Sequence, residues 1–93
     1  MFTFSDFPKL SERNIQKVLR NVDMQVIAKS VCGEGNKAVF VAFASVMSRM
    51  AAKSLRQTIV QNGDVPQDEV TRCQGLLVKE AKKLAESGDI SLP

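Results

Sequence analysis

Residues Ala38 to Met47 form a ten-residue run without a single charge, in which Ser45 is the only polar side chain; the next twelve, Ser48 to Ile59, carry Arg49, Lys53 and Arg56 and no acid. A run of that length is about half of what a membrane-spanning helix needs, so it must find its apolar cover in a protein core or against a partner. At about 100° per residue, Ala51, Ala52, Leu55 and Ile59 share one side of a helix, and Arg49, Lys53 and Arg56 at i, i+4 and i+7 fall on the opposite side. The stretch Lys37 to Ile59 therefore reads as a buried helix handing over to a half-exposed one whose open face is a cationic stripe.

Ninety-three residues with 44% hydrophobic and 25% charged content make one small soluble domain with a single core. A net charge of +3 and a pI near 9.1 suit an acidic partner but fall short of the dense basic surface of a committed nucleic-acid binder, so no nucleic acid is expected. There is no histidine, and the cysteines, Cys32 and Cys73, are far apart in sequence. That excludes a zinc site of the usual nitrogen and sulfur ligands, and neither a metal nor a cofactor is expected. The thiols read as small buried groups in a reducing compartment. Met1 to Phe4 lacks a basic flank and runs directly into Asp6 and Pro8, which does not fit a secretory signal; a cytoplasmic protein without membrane insertion is the expectation.

Helical periodicity runs through the chain. Ile15, Val18, Leu19 and Val22 recur at helical spacing behind Ser11 as an N-cap, and Asp23 is placed to cap a second helix, Met24 to Val31, closed by Cys32 and Gly33. Asn36 is expected to cap the third helix, with Val39, Phe40, Phe43 and Met47 facing the core. The other side of that helix, with Ala38, Val41, Ala42 and Ser45, has no charge, which points to enclosure by the domain itself or by a partner. Ser48 to Gln61 is a fourth helix stopped at Asn62-Gly63. Asp68 is expected to cap the last, where Val70, Cys73, Leu77, Ala81 and Leu84 make an apolar seam and Gly88 ends it, leaving Ile90 to Pro93 as a tail. The fold class is all-α: a compact bundle of about five to six short helices, preceded by an extended aromatic segment. Phe2, Phe4 and Phe7 at the amino end must pack on something, either as a strand-like arm on this core or as a joint to another domain.

No catalytic constellation is present: general-base work usually calls on histidine or a buried carboxylate, and the serines have no base beside them. The chain does not read as an enzyme. The stripe Arg49, Lys53, Arg56 is the leading site candidate. Its plain reading is a solvated helix face. Against that, three like charges in register repel by about a few tenths of a kcal/mol per pair, with no acid on the helix to relieve them and apolar Val60 at the edge. An uncompensated cost of this kind points to an external anion. The face of Ala38, Val41 and Ser45 is a second candidate, as a protein interface.

The order of these motifs resembles the C-terminal domain of the FliG family of flagellar motor switch proteins. The matching residues are Met1-Phe2-Thr3-Phe4, Leu19-Arg20 with Val22-Asp23, Gly33, Met47-Ser48 with Ala51-Ala52, Leu55-Arg56, Gly63 with Val65, Val70 and Gln74, and Leu84-Ala85-Glu86 with Gly88 and Ile90. They span the chain in one register, apart from an apparent one-residue insertion around residues 34 to 36. The resemblance implies a hinge or linker over residues 1–10, with Met1, Phe2 and Phe4 as hinge residues, joined to an upstream armadillo-like domain, and a torque-type helical domain over residues 11–93. It also implies that Arg49, Lys53 and Arg56 lie on the helix that meets the cytoplasmic loop of a MotA-type stator protein, and that other switch-complex proteins of FliM type and ring assembly of the full-length protein complete the setting, at the cytoplasmic face of a bacterial flagellar basal body. The chain departs from the family pattern at Cys32 (usually lysine), Met50 (usually arginine), Gln57 and Thr58 (usually an acidic pair) and Pro66 (commonly arginine). A mixed-charge ridge has thereby become purely basic. A divergent adaptor of the same fold, holding a neighbour through the third helix, is the alternative; a small nucleic-acid-binding domain is a more distant one.

Overall fold

The computed structural model describes residues Met1 to Pro93. A six-residue 3-10 helix, Phe4–Lys9, is followed by α1 (Glu12–Arg20), α2 (Met24–Ser30), α3 (Lys37–Ser45), α4 (Arg49–Asn62) and α5 (Gln67–Glu86), with no strand, as the all-α reading expected. The Cα radius of gyration, 12.3 Å, matches the ~12 Å of a compact chain of this length.

α5 is the axis of the packing. Its seam places Val70, Cys73, Leu77 and Ala81 fully inside, with Leu84 half-buried beyond them, and it contacts α2, α1 and the amino-terminal 3-10 helix. At ~1.5 Å per residue a 20-residue helix can serve neighbours along ~30 Å. The mid-helix Gln74 fastens α2 and the turn after it: its Nε2 donates to the Ser30 carbonyl at 2.9 Å and lies 3.4 Å from Asn36 Oδ1.

The aromatic segment belongs to the same core. Phe2, Phe4, Phe7 and Leu10 are buried, and edge-to-face contacts link Phe2 to Phe7 (5.0 Å between centroids), Phe4 to Phe7 (5.7 Å) and Phe7 to Phe43 of α3 (5.2 Å). Such pairs add about 0.5–1.5 kcal/mol each beyond the area they bury. Residues 1 to 3 and Leu10 lie outside helix; residues 4 to 9 wind into the 3-10 turn where a strand-like arm was one expectation. The physical reason is local. The Asp6 carboxylate accepts from the Thr3 N–H at 2.9 Å and from its hydroxyl at 3.1 Å, which lowers the Asp6 pKa, and Lys9 lies 3.2 Å from the same carboxylate.

Several helix ends differ from expectation. Ser11 caps as read, accepting from the N–H of Asn14, whereas Ser48, read as the first residue of the fourth helix, stands outside it as the N-cap and accepts from the N–H of Ala51. Asp23 occupies its N-cap position without a side-chain bond to the helix. Asn36 also stands at its N-cap position but does not cap with its side chain, because its Nδ2 turns back to the Cys32 carbonyl at 2.8 Å and its oxygen faces Gln74. The last helix starts at Gln67 with Pro66 at its N-cap position, two residues ahead of the expected Asp68 cap; Pro66 cannot donate, and its carbonyl opens the helix by accepting from Glu69 and Val70. Gly63 (φ 60°) and Gly88 (φ 82°) end α4 and α5 in the left-handed region, as their sequence context required. After Gly88 the chain folds back: Ile90 is buried, and Lys17 Nζ of α1 donates to the Asp89 carbonyl at 2.8 Å.

Candidate protein-interaction site

α4 and the turn before α3 build the surface on which the candidate residues lie. Residues Val46 to Ser48 break the Lys37–Ile59 stretch into two helices, so α3 and α4 can pack against each other at an angle. Ala52 and Leu55 fix α4 by their burial, with Ile59 half-buried below them. Arg49, Lys53 and Arg56 are all exposed. The ion pairs of the chain are Lys9–Asp6, Lys29–Glu69 and Arg72–Glu69, so no carboxylate of the domain neutralises the stripe. Arg49 is the first residue of its helix, where the macrodipole disfavours a cation, and the first turn carries no acid.

The stripe does not stand diametrically across from the core. Stepping ~100° per residue puts its centre about 110° round from the buried face, on the flank toward the α2–α3 turn. On that flank Arg56 and Val60 form a ridge between two open concavities. One is lined by Lys53, Gln57 and Gln61. The other is a groove reaching over Ile59 to Phe40, Val31 and Lys37. Val60 is 79% exposed and Met50, beside Arg49, is 73% exposed, so the cations are interleaved with apolar side chains. Gln57 and Thr58 lie on α4 without charge, and Thr58 Oγ1 donates to the Ser54 carbonyl at 2.8 Å.

The remaining candidates are distributed as follows. Ala38, Val41 and Ser45 share an open side of α3, and Val41 is 53% exposed, so the domain itself does not enclose this face. Ser45 satisfies its hydroxyl locally on the Ala42 carbonyl. Of the amino-terminal residues, Phe2 and Phe4 are buried while Met1 is fully exposed. Cys32 and Cys73 are free and buried, and burial raises both thiol pKa values; Cys32 Sγ donates to the Ala28 carbonyl at 3.3 Å. The charged cluster with the strongest electrostatics lies elsewhere: Glu69 takes Arg72 Nε at 2.6 Å and Lys29 Nζ at 3.2 Å, which together hold its carboxyl down at about 2. This triad pins the start of α5 to the end of α2.

The model of the family described as the FliG C-terminal domain matches residues 1–92 of the chain. The chain belongs to that family. Among FliG proteins, that of Bradyrhizobium diazoefficiens is 38% identical over 92 residues, which is 99% of this chain and 28% of the relative. That of Pseudomonas aeruginosa is 34% identical over 92 residues, 99% of this chain and 27% of the relative. Both relatives are named flagellar motor switch protein FliG. The chain thus spans little more than a quarter of the length of these FliG proteins. Crystallised FliG from H. pylori superposes with a TM-score of 0.92 at 26% identity, over 98% of this chain and 42% of that one. The structure of full-length FliG from Aquifex aeolicus superposes with a TM-score of 0.87 at 32% identity, over 95% of this chain and 27% of that one. The FliG resemblance legible in the motifs is therefore shown, and with it the helical fold. No helix of the chain is long and apolar enough to cross a membrane.

Proposed function

We propose that this FliG-type domain works as a non-enzymatic rotor element of a bacterial flagellar motor, at the cytoplasmic face of the basal body, engaging acidic residues on the cytoplasmic loop of a MotA-type stator protein. The observation that carries the reading is the exposure of Arg49, Lys53 and Arg56 on one helix with no carboxylate of their own chain to neutralise them. Exposed ion pairs contribute only ~0–1 kcal/mol each, which suits a contact that is made and released at every step. In this reading residues 1–10 are the joint to an upstream armadillo-like domain and residues 11–93 the torque-type domain. Phe2 and Phe4, held in the core, anchor the near side of that joint, with Met1 on its outer edge. FliM-type switch proteins and ring assembly complete the proposed setting. The test is Arg56→Glu in a strain whose only FliG C-terminal domain is this one. Swimming is expected to fall with the fold intact, and a lysine in place of the opposing stator acid to restore it in part; undiminished swimming overturns the torque role.

A second reading is favoured by the open side of α3, where Val41 is 53% exposed beside Ala38 and Ser45. There the domain is an adaptor that holds a neighbouring protein through α3, without a torque role. Val41→Asp would then disrupt assembly while substitutions in the stripe remain silent.

A further inference from the structure

The groove beside the stripe has the chemistry of a seat for one particular kind of side chain. Its depth is apolar, with Val31 buried and Phe40 and Ile59 half-buried, and Val60 stands at its edge. Lys37 and Arg56 are its exposed cations, and Glu34, the only acid on its lining, pairs with neither. Arg56 and Val60 belong to both the groove and the ridge that carries the stripe, so the two surfaces are continuous.

We infer that the groove receives a large apolar side chain of an acidic partner segment, whose carboxylates on either side of that side chain meet Lys37 and Arg56. The inference rests on the reading of the stripe as a docking face for an acidic protein segment, and adds what fixes its register. Exposed cations attract a negative segment from many directions with little preference for position. An apolar socket between two of them admits one alignment, because only there does a side chain leave water while the flanking carboxylates keep their partners. A second copy of this chain is disfavoured as occupant, since each copy carries a net charge of +3 and two copies repel overall.

The test uses two synthetic helical peptides of equal negative charge, identical except for one position between two glutamates, which is leucine in one and alanine in the other. Each is titrated at low ionic strength into the isotope-labelled 93-residue chain, and amide shifts are followed by NMR. The leucine peptide is expected to move the amides of Phe40, Ile59 and Val60 and to bind about fivefold more tightly than the alanine peptide. Val60→Ser, at an exposed position that the fold does not need, is expected to reduce that difference by removing one apolar wall of the groove; a difference as large as in the parent overturns the groove. Equal affinities, with no shift at Phe40 or Val31, overturn the groove and leave the stripe reading intact. Peptide binding that survives simultaneous Arg49→Ala, Lys53→Ala and Arg56→Ala, or no binding by either peptide, overturns both. Groove shifts produced by raising the protein concentration alone make a second copy the occupant and overturn the inference.

Discussion

Gln74 Nε2 and the Ser30 carbonyl, 2.9 Å apart and separated by 44 residues of chain, close the turn between α2 and α3 against the central helix. Ser30 is completely buried, so its carbonyl has little access to water if this bond is lost. Gln74→Leu is expected to destabilise the domain by ~1–3 kcal/mol, measured by urea unfolding. Hydrogen exchange should rise first in the Gly33–Asn36 turn; a urea midpoint equal to that of the parent would show that the bond contributes nothing.

Glu69 links acid sensitivity to the same corner of the fold. Its carboxyl is lowered from 4.5 to about 2, first by Arg72 and then by Lys29. A depressed carboxylate stabilises the fold fully above its unfolded pKa, and that stabilisation fades as pH falls through the folded value. Glu69→Gln should therefore be less stable than the parent at neutral pH, with the two curves converging between pH 4.5 and about 2. A constant offset across that range would exclude the linkage. Because Arg72 is exposed and Glu69 and Lys29 are only half-buried, raising the salt concentration should also narrow the gap.

Phe7 is fully buried and touches Phe2, Phe4 and Phe43, so it ties the amino-terminal turn to α3. Phe7→Ala is expected to cost ~3–5 kcal/mol, a large part of the stability of so small a domain. A double-mutant cycle with Phe43→Leu, on a Phe7→Leu background that still folds, should return a coupling of ~0.5–1.5 kcal/mol. Strict additivity would mean that the two rings do not support each other.

Replacing Arg49, Lys53 and Arg56 together by glutamine should leave thermal stability unchanged or slightly raised, by less than ~0.5 kcal/mol per site. The direction follows from relieved repulsion and from removing a cation at the helix start. The gain should vanish in high salt. Marked destabilisation would show that these residues hold the fold together, and would remove the argument for an external anion.

Much of this architecture is legible in the residues because helix patterning is local. The seam of Val70, Cys73, Leu77 and Ala81, the Ser11 cap and the glycine stops all depend on spacing within one turn or two. The stripe's exposure followed from the same arithmetic. Three things did not follow. Asn36 lost its capping role to Gln74, a partner 38 residues away. The groove of Val31, Phe40 and Ile59 draws on the turn after α2, on α3 and on α4, and no one of them signals it. The aromatic segment could have been an arm or a joint on composition alone, and only the position of α3 decides that Phe2 and Phe4 meet Phe7 and Phe43. Local pattern fixes helices; which neighbours compete for an amide, or wall a hollow, is settled by the topology.

The ring chain from Phe2 through Phe7 to Phe43 has a mechanical meaning. A pull on the backbone at Met1 reaches α3 through two rings, because buried Phe2 packs on Phe7 and Phe7 packs on Phe43, and α3 lies against α4. In the proposed rotor reading, a sideways push on Arg56 would travel the reverse path, from α4 through α3 to the aromatic segment.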